Sequence, residues 1–198
     1  MNSIPSELLA LAAQPVAKPT AAPTATPTPT AADRPDGFVR VAQVLAERGH
    51  PHAPQWLETS ARTCAEAAQV LQVQVGQIAK SVIFKRRSDQ AAVLVVASGD
   101  QRVDEAKVAA QVGPIGRADA AFVKAHTGFS IGGVAPVGHL VPPVVLIDRE
   151  LFRYDEVWAA AGHPHGVFRL TPQALVALTG APVADVVLND TPQAAVAP

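Results

Sequence analysis

The sequence predicts a mixed α+β domain in which much of the sheet is antiparallel, and two observations lead to this fold class. Helix-spaced and strand-like apolar segments alternate irregularly along the chain, unlike the regular repeat of a parallel βαβ array. Two apolar strands, expected at 80–85 and 91–97, are separated only by the polar turn 86–90, as in a β-hairpin. Because hairpin strands run antiparallel, the sheet is expected to contain at least one antiparallel pair.

The folded domain is expected at 36–188 of the 198 residues. Segment 1–35 is rich in Ala, Thr and Pro and holds few large apolar side chains, which predicts a disordered tail. Segment 189–198 is a second loose stretch, rich in Ala and Pro, and is expected to be a flexible tail. The remaining length is ordinary for one domain with a hydrophobic core.

Composition and charge exclude several classes of protein. The formal net charge is −1 at pH 7, which argues against a protein that grips a nucleic-acid backbone over a wide face, and no DNA partner is expected. No apolar run approaches the roughly 20 residues needed to span a bilayer, so no membrane partner is expected. Cys64 is the single cysteine and no secretory signal is recognisable, so we expect a cytoplasmic protein.

Six segments are expected to be helical, because apolar residues recur at helical spacing between cap and stop residues. Thr63 and Glu66 form a capping box at the start of the second helix, and Pro172 opens the last one. With their caps and stops, the six run over 38–49, 63–76, 104–113, 118–125, 151–161 and 171–180. The expected strands are 56–59, 80–85, 91–97, 144–147 and 166–170.

Two segments carry the functional signal. Segment 78–85 places Lys80 at the mouth of an otherwise apolar strand, where its ammonium can meet a phosphate or an ester carbonyl. Segment 128–138, called the glycine loop below, lacks the Gly-Lys-Ser/Thr ending of a phosphate loop. Its glycines let backbone N–H groups approach a ligand closely. Together the segments indicate a pocket for a small group carried on something anionic.

Three motifs, in this order, give the chain a family resemblance: IAKSVIF at 78–84, GGVAPVG at 132–138 and VVLID at 144–148. The chain resembles the YbaK-type aminoacyl-tRNA deacylases, which are related to the editing domain of bacterial prolyl-tRNA synthetases. The resemblance covers about 38–187. It implies a curled, barrel-like sheet surrounded by helices, and hydrolysis of an amino acid wrongly attached to tRNA, usually tRNA for proline. It also implies no metal, no cofactor and no covalent enzyme intermediate.

For such a reaction, Lys80 is expected to hold the terminal phosphate or carbonyl region of the substrate. The backbone N–H groups of Gly132 and Gly133 are expected to stabilise negative charge on the carbonyl oxygen. Water attacks the ester, and the resemblance favours help from the ribose hydroxyl of the substrate over an enzyme nucleophile. The further residues expected to bind substrate are Phe84, Phe129, Ser130, Ile131, Pro136, Asp148 and His163.

Several of these residues have a simpler reading beside the functional one. Asp148 either caps the next helix or binds the amino group of the substrate. The Ser130 hydroxyl is more simply explained by a bond to the loop backbone, and His163 is a candidate for orienting water. His163-Pro164-His165 lacks the spacing and companions of a zinc site, so no metal is expected. Cys64 is interpreted as core packing.

The leading functional hypothesis is a trans-editing hydrolase acting on the acceptor end of mischarged tRNA, with prolyl-tRNA synthetase or an elongation factor as candidate second partners. The alternative is a non-catalytic module of the same fold that binds tRNA or a synthetase. A third, weaker hypothesis is a hydrolase of free esters.

Overall fold

The computed structural model of the protein describes residues 34–188, which form five α-helices and eight β-strands. The helices are α1 (Asp36–Glu47), α2 (Cys64–Leu71), α3 (Glu105–Val112), α4 (Ala120–Thr127) and α5 (Pro172–Thr179). The strands are β1 (Gln55–Trp56), β2 (Ile78–Arg86), β3 (Ala92–Ser98), β4 (Ile115–Arg117), β5 (Val144–Asp148), β6 (Val157–Ala160), β7 (Gly166–Leu170) and β8 (Val183–Ala184). Apart from Arg34 and Pro35, the expected tails at 1–35 and 189–198 lie outside the described residues.

All eight strands belong to one mixed sheet, which confirms the predicted α+β class. The strand order is β1-β7-β6-β2-β3-β5-β8, and β4 pairs with β2 beside this path. The pairs β1–β7, β2–β3, β2–β4 and β6–β7 are antiparallel, whereas β2–β6, β3–β5 and β5–β8 are parallel. The hairpin predicted from the polar turn is the β2–β3 pair.

Strand β2 has an interrupted edge. On one side it pairs with β3 from Ala79 to Lys85. On the other side it pairs with β6 at Ile78 and Ala79, and with β4 only from Phe84 onward. Residues 80–83 therefore have no strand partner on that side within the described chain, and we call this stretch the β2 gap. Backbone N–H and C=O groups that point into such a gap are not used by the sheet.

The core packs against both faces of the sheet. Every residue of β3 is buried, as expected for a central strand covered on both sides. The largest cluster includes Phe129, Phe168 and Ile147 and lies against α1, α4 and α5. A second cluster lies under α3 and includes Phe84 and Val108, and a third lies under α2.

The helix expected at 151–161 is wrong. Residues Arg149–Arg153 form a single 3-10 turn, and Val157–Ala160 form β6, which pairs with β2 and β7. Burial alternates along β6, because Val157 and Ala159 are buried whereas Trp158 and Ala160 are only half-buried. This period of two is typical of a strand. The apolar run is too short for its spacing to distinguish a strand from a helix, which is why a helix was predicted.

Side-chain caps fix the helix starts where the sequence predicted them. The Thr63 hydroxyl accepts from the Glu66 N–H at 3.2 Å, and the Glu66 carboxylate accepts from the Thr63 N–H at 3.2 Å. This capping box sets the first turn of α2 beside β2. Within residues 34–188, no helix combines the length and the apolar character that a bilayer crossing requires.

Two glycines bring α1 against the segment that follows β6. A Cβ on Gly162 would lie 2.4 Å from the Gly37 carbonyl oxygen, and Gly162 has φ of +81°, which side chains disfavour. Gly49 has a similar φ of +68° but no atom within 4 Å of its Cβ position. A substitution at Gly49 therefore meets only the unfavourable φ, whereas one at Gly162 meets both the unfavourable φ and a steric clash with the backbone.

We expect Gly162→Ala to lower the free energy of unfolding more than Gly49→Ala does. Both variants carry the cost of a positive φ, roughly 1–2 kcal/mol. Gly162→Ala must also relieve the collision with Gly37, which adds about 1–3 kcal/mol. Urea denaturation of the two variants measures the difference, and equal losses would show that the backbones are not in contact there.

Candidate active site

A cavity of about 250 Å³ opens at the β2 gap. It lies between the start of α2, β2 and the glycine loop, with β6 and β7 behind. Its size is below the roughly 300–1,000 Å³ of sites for drug-sized ligands, so it suits a small group. The lining residues are 61–64, Ala67, Leu71, 78–82, Ile131, Gly132, Val134, 158–160 and Val167.

Lys80 lines the cavity at the first position of the β2 gap. Its side chain is half-buried, and its ammonium donates to the carbonyl oxygens of Gln101 and, at 3.4 Å, Gly99. A lysine ammonium has three N–H donors, so this arrangement leaves one for a ligand. The strand predicted from the sequence therefore places Lys80 at a cavity wall, with its charge in a defined place.

Arg62 is a second cation at the cavity, and sequence reasoning missed it. It is exposed, it lines the cavity, and its backbone N–H donates to the Glu66 carboxylate at 2.8 Å. Its position directly before the capping residue Thr63 was the available signal. No Asp or Glu of the described chain lines the cavity. Two cations without a facing carboxylate favour an anionic ligand.

The glycine loop reaches the cavity through Gly132 and is fastened by Gly133. Gly132 has φ of +91° and lies against Arg62, and its N–H makes no hydrogen bond within residues 34–188. The Gly133 N–H donates to the Ser130 carbonyl at 3.0 Å, so it is already engaged. A Cβ on Gly133 would lie 2.7 Å from the His163 backbone. Of the two expected N–H groups, only that of Gly132 is therefore available for a ligand.

Ile131 is the remaining predicted residue that the structure brings to the cavity. It lies at the tip of the glycine loop and is 63% exposed, so a ligand could cover its apolar side chain. Ser130 is exposed beside it but does not line the cavity; its carbonyl, rather than its hydroxyl, makes the hydrogen bond within the loop.

Four of the predicted residues lie in the core and not at the cavity. Phe84 follows the β2 gap and packs under α3, and Phe129 is 1% exposed in the largest core cluster. Pro136 is buried within the glycine loop, and Asp148 is fully buried at the end of β5. Apolar residues next to the site motifs pack into the core and anchor the motifs. The sequence pattern alone does not distinguish this role from lining a pocket.

His163 lies beside the cavity without lining it. Its ring stacks on Trp56 with a centroid distance of 4.9 Å, and its backbone supports Gly133. Burial, and then the neighbouring His165, lower the pKa of His163, which favours the neutral imidazole. Within residues 34–188, no group of three His, Cys, Asp or Glu side chains could hold a metal ion.

Cys64 also lines the cavity, as the first residue of α2. Burial raises the pKa of its thiol, and the nearby Lys80 offsets this only in part. The thiol form is therefore favoured, and a thiol is a poor nucleophile compared with a thiolate. Cys64 is better placed to form a wall than to attack a substrate.

Comparison with known proteins shows which family the chain belongs to. A family model described as an aminoacyl-tRNA editing domain matches residues 58–178. The chain belongs to the aminoacyl-tRNA editing domain family. The matched residues include Lys80, Gly132 and most of the cavity wall, and the family resemblance expected from the three sequence motifs is confirmed.

Relatives of this editing domain include proteins and solved structures that cover most of it. It is 35% identical to "Uncharacterized protein YwhH" of Bacillus subtilis (strain 168) over 133 residues, which is 63% of this chain and 84% of that protein. A solved structure named "putative trans-editing enzyme for prolyl tRNA synthetase" is 43% identical, with a TM-score of 0.73 over 78% of this chain and 99% of that one. "Hypothetical protein APE2540" is 31% identical, with a TM-score of 0.71 over 75% and 99%.

Asp148 of the editing domain is a buried carboxyl away from the cavity. Neither of its oxygens makes a hydrogen bond within the described residues, and it does not cap the 3-10 turn that follows it. Burial raises its pKa from 3.8 to about 6, although the nearby backbone N–H groups of Glu150 and Ser98 act in the opposite direction. The folded protein thus binds the Asp148 proton more tightly than the unfolded chain does.

We expect this group to weaken the fold as the pH rises from about 4 to about 6. The stability that it contributes is fully present below the unfolded pKa of 3.8 and is lost as the pH passes the folded pKa of about 6. A difference of this size corresponds to about 3 kcal/mol. The free energy of unfolding of the wild type should fall by about 2 kcal/mol relative to Asp148→Asn between pH 4 and 6, and by the full amount over a window that extends about one pH unit beyond both pKa values.

Asp89→Asn is the control for this measurement. Asp89 is an exposed aspartate, and its hydrogen bond with Arg86 lowers its pKa to about 2. Its titration lies below pH 4, so Asp89→Asn should run parallel to the wild type between pH 4 and 6. If Asp148→Asn also ran parallel, Asp148 would be ionised in the folded protein.

Proposed function

We propose that the protein is a trans-editing hydrolase that removes a wrongly attached amino acid from tRNA, with tRNA for proline as its substrate. The observation that carries the proposal is that Lys80, Arg62 and Gly132 line one small cavity whose lining, within the described chain, contains no carboxylate. A cavity of this size takes an aminoacyl group, and its two cations suit the phosphates of the acceptor end.

The reaction is hydrolysis of the ester between the amino acid and the terminal ribose. Lys80 and Arg62 hold the terminal phosphate region, and the amino acid side chain enters the apolar part of the cavity. The Gly132 N–H donates to the carbonyl oxygen as negative charge develops on it. A water, oriented by the free ribose hydroxyl, attacks the carbonyl carbon. The ester C–O bond then breaks, the ribose oxygen takes a proton, and the free amino acid leaves.

The residues of the cavity support attack by water rather than by a side chain. Cys64 is held as the thiol, and no histidine of the described chain lines the cavity to serve as its base. An enzyme nucleophile needs an adjacent base or a lowered pKa, and neither is present among these residues. Aminoacyl esters are already activated, so a bound and oriented ester needs only modest further help.

Two observations bear on the choice of tRNA and amino acid. The similarity to a protein named as a trans-editing enzyme for prolyl tRNA synthetase supports tRNA for proline. Apolar walls such as Val82, Val134 and Val167 discriminate small side chains by only about 1–3 kcal/mol per methylene. Selection must then involve the tRNA as well as the amino acid.

A second macromolecular partner completes the proposal. With a formal net charge of −1, the protein has no excess of basic side chains to neutralise the phosphates of tRNA. The protein alone is therefore expected to bind tRNA weakly. Prolyl-tRNA synthetase or an elongation factor, both of which hold charged tRNA, would supply the remaining affinity. The substrate places the proposed activity in the cytoplasm.

We expect Lys80→Ala to lower the rate of deacylation about 100-fold, because one preorganised cation is lost from the site. The assay is release of labelled amino acid from a panel of mischarged tRNAs that includes tRNA for proline. Lys85→Ala is the matched control: Lys85 is on the same strand, its ammonium lies over the Phe122 ring, and it does not line the cavity.

The same panel separates the proposal from its alternatives. Tight binding of charged tRNA with no release of amino acid would indicate a non-catalytic module. Equal rates on free aminoacyl esters and on aminoacyl-tRNA would indicate a general esterase. Full activity of Lys80→Ala would remove Lys80 from the mechanism.

A further inference from the structure

The ammonium of Lys80 is held by a single turn of backbone. Residues 98–102 comprise the last residue of β3 and the start of the segment that leads to α3, and this stretch is called the 98–102 turn below. The carbonyl oxygens of Gly99 and Gln101 both accept from Lys80 Nζ. Because two of the three N–H donors are fixed in this way, the turn decides where the third one points. Any shift of the turn is therefore a shift of the cation at the cavity wall.

Two charged side chains outside the cavity lining, Asp100 and Arg153, hold this turn in place. Arg153 Nη2 donates to Asp100 Oδ1 at 2.9 Å and to Ser98 Oγ at 3.0 Å. Ser98 Oγ lies 2.8 Å from Asp100 Oδ1 and 2.6 Å from the Gly76 carbonyl oxygen. Ser98 is fully buried, so these bonds join the turn to the core of the domain.

Arg153 is itself held in place by the segment after β5. Its Nε lies 3.2 Å from the Glu150 carboxylate and donates to the Glu150 carbonyl at 2.9 Å. At the other end of the contact, a Cβ on Gly76 would lie 2.0 Å from the Tyr154 hydroxyl and 2.8 Å from Asp100 Oδ2, so both side chains pack closely against Gly76. The Asp100 and Arg153 side chains are both exposed, so the pair lies at the surface, but its hydrogen bonds to Ser98 and Glu150 tie it to the buried end of β3 and to the segment after β5.

We propose that Asp100 and Arg153 are positioning residues, which fix the 98–102 turn so that the Gly99 and Gln101 carbonyls aim the Lys80 ammonium into the cavity. The effect on catalysis rests on the proposed function, whereas the fixing of the Lys80 ammonium by the two carbonyls, called the grip on Lys80 below, does not. Neither residue lines the cavity, so the role proposed for them is exerted through the turn and Lys80. A displacement of the cation by about 1 Å is enough to cost roughly 100-fold in rate.

The first experiment measures the grip without any assay of activity. Each lysine of the folded protein is labelled by brief reductive methylation and quantified by mass spectrometry. In Asp100→Ala and in Arg153→Met, Lys80 should be labelled several-fold faster than in the wild type, because its ammonium is released from the carbonyls. Lys85 and Lys124 serve as internal references and should not change.

Asp89→Ala is the matched control variant. It breaks the Arg86–Asp89 pair, whose closest N–O distance is 2.6 Å, in the turn between β2 and β3. This pair makes no contact with the 98–102 turn, so Lys80 labelling should match the wild type. Unchanged Lys80 labelling in Asp100→Ala and Arg153→Met would overturn the proposal, and so would an equal rise in Asp89→Ala.

The second experiment tests the consequence for the reaction. In Asp100→Ala, kcat for deacylation should fall about 10- to 100-fold while KM changes little, since remote binding contacts remain. Asp100→Asn keeps an oxygen acceptor for Ser98 and Arg153 and should restore most of the rate. If Asp100→Ala fails to fold, Arg153→Met and Arg153→Lys carry both measurements, and a wild-type rate and wild-type labelling in both would contradict the proposal.

The two experiments separate two kinds of failure. If the wild type releases no amino acid from any tRNA, the proposed function fails, but faster Lys80 labelling in Asp100→Ala would still establish the grip. If deacylation is present and labelling does not respond, the positioning role fails alone.

Discussion

The candidate active site depends on an interruption in strand pairing at β2. Over residues 80–83 this strand keeps its partner β3 but has no partner on the opposite edge among residues 34–188. Strand β6 ends its pairing just before this gap, and β4 begins just after it. A continuous sheet would have filled this space with backbone. The interruption instead leaves a cavity against the sheet, with Lys80 at its first residue.

Close backbone contacts at glycines bring the glycine loop to the β2 gap. The glycine loop can approach because Gly133 lies directly on the His163 backbone, and His163 in turn follows Gly162, which lies on Gly37 of α1. These close backbone contacts position the glycine loop so that Gly132 lines the same cavity as Lys80. The site thus combines two kinds of group. One is a lysine, whose flexible side chain is held in place, and the other is a peptide N–H, whose position is set by the backbone. Both are suited to an anionic or carbonyl oxygen.

Much of this could be predicted from the sequence where the cause is local. Lys80, Gly132 and Ile131 were found because a charge in an apolar strand and a glycine loop are visible in the residues themselves, and the Thr63–Glu66 capping box fixed α2. The parallel pairing of β2 with β6 could not be predicted, since it joins residues about eighty apart and the β6 segment is too short to show its period. Phe84 and Phe129 were assigned to the pocket although they lie in the core, because an apolar residue beside a site motif looks the same in the sequence whether it lines the pocket or packs beneath it.

The most direct test is a crystal structure with a non-hydrolysable analogue of the acceptor end, an adenosine 5′-phosphate that carries an aminoacyl group in amide linkage at the ribose. The account predicts the acyl group inside the cavity at the β2 gap, its carbonyl oxygen within hydrogen-bond distance of the Gly132 N–H, and the phosphate next to Lys80 or Arg62. Binding with the acyl group in solvent, or on the other face of the sheet, would contradict it.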